Sequence, residues 1–308
     1  MRSTIISAPY AGLQNQALGL AEAAALAPEL RVLAERAPWR WLPPALWPAP
    51  LAAFAAGTLA EPLGELVIGC GGMAGVVGAA LRRPSRAVVQ VQNPRIPAAR
   101  FDLVVVNRHD ELTGPNVIVT RTALHRVTRA RLDAAAQAWG PRLEHLPRPL
   151  VAVLVGGSNG RYRLDAAVGA ALAEQLAGMM RQDGAGLAVT PSRRTDPAVV
   201  ETLSRALEPL GAYVWRTGEN PYFGLLALAD AIVVTQDSIS MVSEAVATRA
   251  PVMLARLPGR SRRQALFIRG LVEAGRVRPF AGRLESWAAD PIDDTDEAAA
   301  EMRRRLGF

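Results

Sequence analysis

The sequence predicts an α/β protein made of two Rossmann-like domains facing a cleft, with a C-terminal helix returning to the first domain. Three observations carry that expectation. Short apolar runs alternate with helical patterns along the chain, as a parallel sheet covered on both faces requires. The length of 308 residues is worth about two domains. Apolar runs at 66–68 and 151–155 end in Gly69-Cys70-Gly71-Gly72 and Gly156-Gly157-Ser158-Asn159-Gly160, turns whose glycines allow positive φ and close backbone approach.

In order, residues 4–7 read as a first strand, followed by a loop and a helix over 14–26. The strand at 66–68 leads through its glycines into a small-residue helix that ends at Leu81. Residues 87–91, 103–107 and 116–119 are further strands, and a helix over 128–139 closes this half. Gly140-Pro141 and the proline-rich stretch 146–149 read as a linker. Strands follow at 151–155, 186–190, 212–215, 232–235 and 252–254, with helices at 166–183, 197–210, 222–228, 240–248 and 262–274. The tail, 295–306, is a charged helix. The expected domains are therefore 1–145 and 150–290, with a terminal segment 291–308.

Half of the residues are hydrophobic, enough for a sizeable core and too many for intrinsic disorder. The formal charge is +7, and all 35 basic residues are Arg. That balance favours anionic partners such as nucleotides or lipid headgroups. No compact Arg cluster is interleaved with aromatics, so nucleic acid is not an expected partner. Cys70 is the only cysteine; with no intrachain disulfide possible, a reducing, cytoplasmic location is expected. The stretch 1–7 is short, and Pro9 interrupts it before any secretory h-region, so no secretory signal is expected. The uncharged stretch 41–60 contains Pro43, Pro44, Pro48 and Pro50, which rule it out as a membrane-spanning helix.

Ligands of open α/β sheets bind outside the carboxyl ends of the strands, which directs attention to five clusters. The turn 156–160, with Arg161 and Arg163 just past it, reads as an anion site at a helix N-terminus, or as a plain connection. Ser192, Arg193 and Arg194 follow a strand and suit phosphate recognition, or form a turn capping the next helix through Thr195 or Asp196. Asn220 and Tyr222 flank Pro221, where Asn220 caps a helix or meets a base edge. Asp237, Ser238, Ser240, Ser243 and Glu244 begin a helix after another strand. Glu244 there either accepts bonds from ribose hydroxyls or simply suits the helix dipole. Finally His109 beside Asp110 is a candidate general base, its tautomer set by the carboxylate, or a satisfied surface histidine. His125, His145 and Cys70 show no metal-ligand spacing, so no metal site is expected.

A family resemblance rests on specific segments. APYAGLQNQALGLAEA (8–23), VVQVQNPRIP (88–97), FDLVVVNRHD (101–110), GPNVIVTRTALHRVT (114–128) and VLVGGSNGRYRLD (153–165) belong to one set. VTPSRRTD (189–196), ENPYFGLLALADAIVVTQDSISMVSEAVATRAPV (219–252) and EAGRVRPFAGRLESW (273–287) complete it. Together they resemble the mitochondrial fission "Elongated Mitochondria" family, in its bacterial branch. That family is similar in fold to the GT-B glycosyltransferases, including the group that adds N-acetylglucosamine during lipid II synthesis. The resemblance implies a nucleoside-diphosphate sugar as donor substrate, no separate cofactor, and a diphosphate beside Gly156, Gly157 and Ser158, with Asn159 and Arg161 adjoining. It implies a ribose at Ser243 and Glu244, and a base near Asn220 and Tyr222.

The first loop departs from the GT-B pattern: it has no His and a single Gly, so Gln14, Asn15 and Gln16 are the expected acceptor-side residues. His109 or Asp110 is then the expected base. Sugar transfer to a lipid-linked or envelope acceptor is the leading expectation; a non-catalytic nucleotide-sugar-binding protein or a scaffold is the alternative. Residues 39–54, with three Trp and Arg31, Arg36 and Arg40 nearby, suggest peripheral contact with an anionic membrane at the inner face of the plasma membrane. The other reading is a proline-broken loop packed on the first domain.

Overall fold

The computed structural model describes residues 1–308, and the chain divides into two compact units, Met1–Arg126 with Asp293–Phe308, and Val127–Ile292. Each holds one six-stranded sheet in which every pairing is parallel.

The first unit runs β1 (Ser3–Ser7), α1 (Ala11–Ala23), β2 (Glu29–Val32), β3 (Leu66–Cys70), α2 (Gly72–Leu81), β4 (Ala87–Val91), β5 (Leu103–Asn107) and β6 (Val117–Thr120). The sheet order is β2-β1-β3-β4-β5-β6, so the winding direction switches between β1 and β3. β1, β3 and β5 are buried along their whole length, as strands of a parallel sheet covered on both faces are. The C-terminal helix Thr295–Leu306 packs on α1 and buries Ala298, Ala299 and Met302. Asp294 fastens its start, accepting bonds from the backbone N–H and the guanidinium of Arg121. The expected return to the first domain is therefore made.

The second unit runs α3 (Arg129–Leu143), β7 (Leu150–Val155), α4 (Ala166–Asp183), β8 (Gly186–Pro191), α5 (Pro197–Leu207) and β9 (Tyr213–Val214). It continues with α6 (Tyr222–Leu228), β10 (Ala231–Thr235), α7 (Ile239–Val246), β11 (Val252–Ala255), α8 (Arg262–Glu273) and β12 (Val277–Pro279). The order β12-β11-β10-β7-β8-β9 puts its switch point between β7 and β10.

The structure moves the domain boundary. Residues 127–145, assigned by sequence to the first domain, belong to the second unit. Val127, Trp139, Leu143 and Leu146 are buried in one core cluster with Leu150, Leu225 and Ile232. Gly224 makes room for the Trp139 ring, which a Cβ at that position would strike. The proline-rich stretch is thus packed, and α3 continues through Pro141 to Leu143. β2 and β12 were not anticipated. Both are edge strands of four and three residues, too short to show a period.

One buried cation holds α7 in place. Arg276 is 2% exposed, and its guanidinium donates to the carbonyls of Val246 (3.1 Å), Thr248 (2.7 Å) and Ala250 (3.0 Å). It answers the negative end of the helix dipole and the carbonyls that a helix C-terminus leaves unpaired. Burial lowers its pKa to about 10, so it remains charged at neutral pH. Arg276→Met keeps the bulk but strands these carbonyls, and is expected to cost about 2–4 kcal/mol. Urea unfolding measures this; a loss below about 1 kcal/mol contradicts the anchoring role.

Candidate functional site

The switch point of the second sheet is where the sequence-predicted turn lies. β7 ends at Val155 and β10 at Thr235, and the chain segments beyond them are tied together by Asp237. Its carboxylate is wholly enclosed. Oδ1 accepts the Thr235 hydroxyl (2.7 Å), while Oδ2 accepts the Gly157 N–H (3.1 Å) and Arg194 Nη2 (3.0 Å). Thr235 Oγ1 in turn accepts the Gly156 N–H at 2.7 Å. From the other side the Thr195 hydroxyl bonds Gly156 O (2.5 Å) and accepts Ser192 N–H (2.9 Å). Both glycines are obligatory here. A Cβ on Gly156 would strike the Asp237 carboxylate, and one on Gly157 the Arg194 carbonyl.

This corrects three expectations. The Gly156 and Gly157 amides do not face a ligand, because Thr235 and Asp237 consume them. Asp237 cannot touch a ligand, since its side chain has no exposed surface. No helix N-terminus adjoins the turn: α4 starts only at Ala166, and Asp165 caps it by accepting Val168 N–H at 3.0 Å. Ser158 is also occupied, its hydroxyl accepting Leu164 N–H (2.9 Å). Asn159 Oδ1 accepts the amides of Arg161 (2.8 Å) and Tyr162 (2.9 Å), fixing the turn, and Arg163 pairs with Asp165. The amides of Ser158 and Gly160 and the guanidiniums of Arg161 and Arg193 make no hydrogen bond within the chain. The turn thus offers an anion its two amides and Arg161, and Arg193 is unspent on the loop between β8 and α5.

Sequence reasoning missed the neighbouring loop after β11. Arg163 N–H donates to Pro258 O (2.9 Å) and Arg260 N–H to Arg161 O (3.1 Å). This bridge needs Gly259, whose φ is +144 and whose Cβ would strike Arg161 O. Exposed Arg260 therefore stands beside the turn, and exposed Arg256 lies on the same loop. Nothing in the sequence marked them, because the bridge joins segments almost a hundred residues apart.

At the β8–β9 side, Asn220 Oδ1 accepts the Tyr222 N–H (2.9 Å) and lies 3.5 Å from Thr190 Oγ1. The Asn220 side chain thus serves the start of α6, as its capping alternative required. Ser238 caps α7 by accepting Met241 N–H at 3.3 Å. Ser240 is half-buried; Ser243 is fully buried. Glu244 is 5% exposed and accepts the Tyr222 hydroxyl through Oε2. Burial raises its pKa from 4.5 to about 7, against the opposing effect of that bond. The Tyr222 hydroxyl is pushed well above its ordinary value by its own burial and by Glu244. Trp215, just past β9, carries a shielded indole N–H without an acceptor; an aromatic residue at a strand end was the overlooked signal.

In the first unit, α1 already begins at Ala11, so Gln14, Asn15 and Gln16 lie on its first turns instead of in a loop. Gln14 Nε2 donates to Ala8 O (3.4 Å), and Gln92 Nε2 donates to Gln16 Oε1 (3.2 Å). His109 is buried, not a surface residue, and its Nε2 lies 4.0 Å from Asp110 Oδ1, too far for a hydrogen bond between those two atoms. The β3–α2 junction is the direct strand-to-helix turn that was expected at 156–160. Gly71 has φ +89, and α2 starts at Gly72 with no side-chain cap. Gln92, Arg95 and Glu111, three of the four non-glycine residues with positive φ, follow β4 and β5, and such strain collects where function constrains a backbone.

The raised Glu244 value has a measurable consequence. A carboxyl held above its unfolded value binds its proton more tightly in the native state. Its contribution is present below about pH 4.5 and is lost as pH rises to about 7. The shift is worth about 3 kcal/mol, and Glu244→Gln removes it. Urea unfolding of both proteins across that range is expected to show the wild type losing stability relative to the variant; parallel curves contradict the burial of an ionisable Glu244.

Comparison with known proteins agrees with this architecture. The family described as Mitochondrial fission ELM1 matches residues 11–306. The mitochondrial fission protein ELM1 of Arabidopsis thaliana is 34% identical over 272 residues, 78% of this chain and 64% of the plant protein. The chain thus spans somewhat less than two-thirds of that relative's length. Among solved structures, UDP-GlcNAc 2-epimerase of Neisseria meningitidis bound to UDP-GlcNAc aligns with a TM-score of 0.55 at 12% identity, covering 99% of this chain and 91% of that one. The calicheamicin glycosyltransferase CalG4 aligns with a TM-score of 0.51 at 15% identity, covering 99% and 94%. At such identities the likeness shows the fold, a GT-B-like pair of α/β units. The chain belongs to the mitochondrial fission ELM1 family.

Proposed function

We propose that this chain binds a nucleoside-diphosphate sugar on its second unit and transfers the sugar to a lipid-linked or other envelope acceptor. The observation that supports the reading most is the turn 156–160. It is held rigid from behind by a buried carboxylate, and at a sheet's switch point it keeps two amides and the Arg161 guanidinium unspent, with Arg193 unspent on the loop after β8. A diphosphate is the ligand whose charge and acceptor oxygens fit that set.

In this reading Ser158 and Gly160 amides, Arg161 and Arg193 bind the diphosphate. The bond between sugar C1 and the diphosphate oxygen breaks as an acceptor hydroxyl oxygen bonds to C1. The leaving oxygen gains charge that the two arginines offset, the kind of interaction that usually dominates such catalysis. The acceptor's proton passes to a general base. Glu244, once ionised, accepts ribose hydroxyls alongside the Tyr222 O–H. The nucleobase is read at Asn220 and Tyr222, as the resemblance implies. The known neighbours support the donor class: one is bound to UDP-GlcNAc and another is a glycosyltransferase. The acceptor's lipid character puts the protein peripherally at the inner face of the plasma membrane, in contact through residues 39–54.

Thermal stability against a panel of UDP-, GDP-, ADP- and CMP-linked sugars tests the donor. A ligand at about 100 times its dissociation constant adds about 2.7 kcal/mol. One nucleotide class is expected to give a selective shift that Glu244→Gln removes. Replacing Arg161 or Arg193 by Gln is expected to slow turnover by roughly 10²–10³. Product analysis by NMR separates transfer from epimerisation of the same donor. No shift across the panel contradicts the reading and leaves the scaffold alternative.

A further inference from the structure

Residues 39–54 divide into a buried half and an exposed half. Trp47, Ala53 and Phe54 are buried in the core of the first unit with Leu33 and Val77. The Trp47 indole N–H donates to Trp39 O (3.1 Å) and Leu42 O (3.0 Å). Its ring meets Trp39 and Phe54 edge-on, each at 6.0 Å. That anchor fixes three short 3-10 turns, Trp39–Trp41, Pro44–Leu46 and Pro50–Ala53. From these turns and their flanks Trp41 (69% exposed), Leu46 (66%), Leu42 (45%) and Leu51 (42%) stand out into solvent.

Single exposed apolar residues need no explanation, but four within eleven positions form a patch that does. The cations lie with them. Arg40 sits 5.4 Å over the Trp41 ring, and Arg36 donates to Ala52 O at 3.2 Å, beside Leu51. Arg31 is matched by Glu29 at 2.9 Å, and Glu35 is the only acidic residue between Arg31 and Glu61. With only Glu35 against Arg36 and Arg40, the apolar tips are bordered by net positive charge, which an anionic surface complements. Proline-broken turns that carry exposed Trp and Leu tips beside Arg have the chemistry of a lipid headgroup region. No helix of the chain is long and apolar enough to cross a membrane.

We propose that Trp41, Leu42, Leu46 and Leu51 insert into the surface of an anionic bilayer while Arg36 and Arg40 meet its headgroups. The proposal rests on the reading of a membrane-borne acceptor for the partner's class, and on the geometry of this patch for its residues. Apolar tips supply the insertion, and the arginines supply the preference for negative lipid.

The test uses the full chain and vesicles of phosphatidylglycerol with phosphatidylcholine, or of phosphatidylcholine alone, in co-sedimentation. Binding is expected to the anionic vesicles, to weaken with salt, and to fall roughly tenfold or more in Trp41→Ser/Leu46→Ser. Arg36→Gln/Arg40→Gln is expected to erase the preference for phosphatidylglycerol. Val272→Ser, an exposed apolar residue elsewhere, is expected to change nothing. Thermal melts of each variant confirm folding, which substitutions at such exposed positions leave intact. No binding to the anionic vesicles overturns the proposal, as does binding that survives loss of Trp41 and Leu46. Self-association that those two substitutions abolish, without vesicle binding, overturns it in favour of a second copy of the chain. The nucleotide-sugar shift, measured on the same variants, is expected to be unchanged; its presence without vesicle binding refutes the membrane surface while leaving the donor site standing.

Discussion

The Asp237 carboxylate is the interaction on which the second unit's site depends. It is an ionisable group enclosed by protein, and such a group is tolerated only when its acceptor capacity is met. Here a hydroxyl, a backbone amide and a guanidinium meet it, and each comes from a different strand end. The cost of leaving any of them unpaired is what keeps three loops in one arrangement. Rigidity of this kind suits a ligand loop, because amides already in place lose little freedom when an anion arrives.

The same arrangement explains how much of the site could be read from the sequence. The turn GGSNG, the polar run after β10 and the arginines near both were legible, since glycines and polar residues at strand ends are local signals. Which amides remain for a ligand was not legible. That depends on Asp237 pointing inward and on Thr235 reaching Gly156, contacts across some eighty residues of chain. Gly156 and Gly157 were read as ligand contacts, whereas they are small so that Asp237 and Arg194 can close on them. Arg256 and Arg260 were invisible for a similar reason, because only the bridge at Gly259 brings their loop alongside.

The fold was the more legible part. Buried parallel strands are continuous apolar runs, and the main ones declare themselves. What escaped was at the edges, where β2 and β12 have one neighbour each and too few residues to show a pattern. The boundary at Val127 was hidden by Gly140-Pro141, which reads as a break. Trp139 against Gly224 holds α3 to the second unit through it. In the first unit, Gly71-Gly72, which was given no ligand role, has the uncapped helix start that the more conspicuous turn lacks.

Hydrogen–deuterium exchange of the full chain, with and without a saturating nucleotide sugar, tests the central claim most directly. In the wild type the segment 156–161 and the start of α7 are expected to gain protection on ligand binding. In Asp237→Asn the same segment is expected to exchange faster without ligand and to gain no protection with it. Unaltered exchange of 156–161 in Asp237→Asn, with protection gained as in the wild type, would contradict the account, because the loop would then owe its order to something other than that carboxylate.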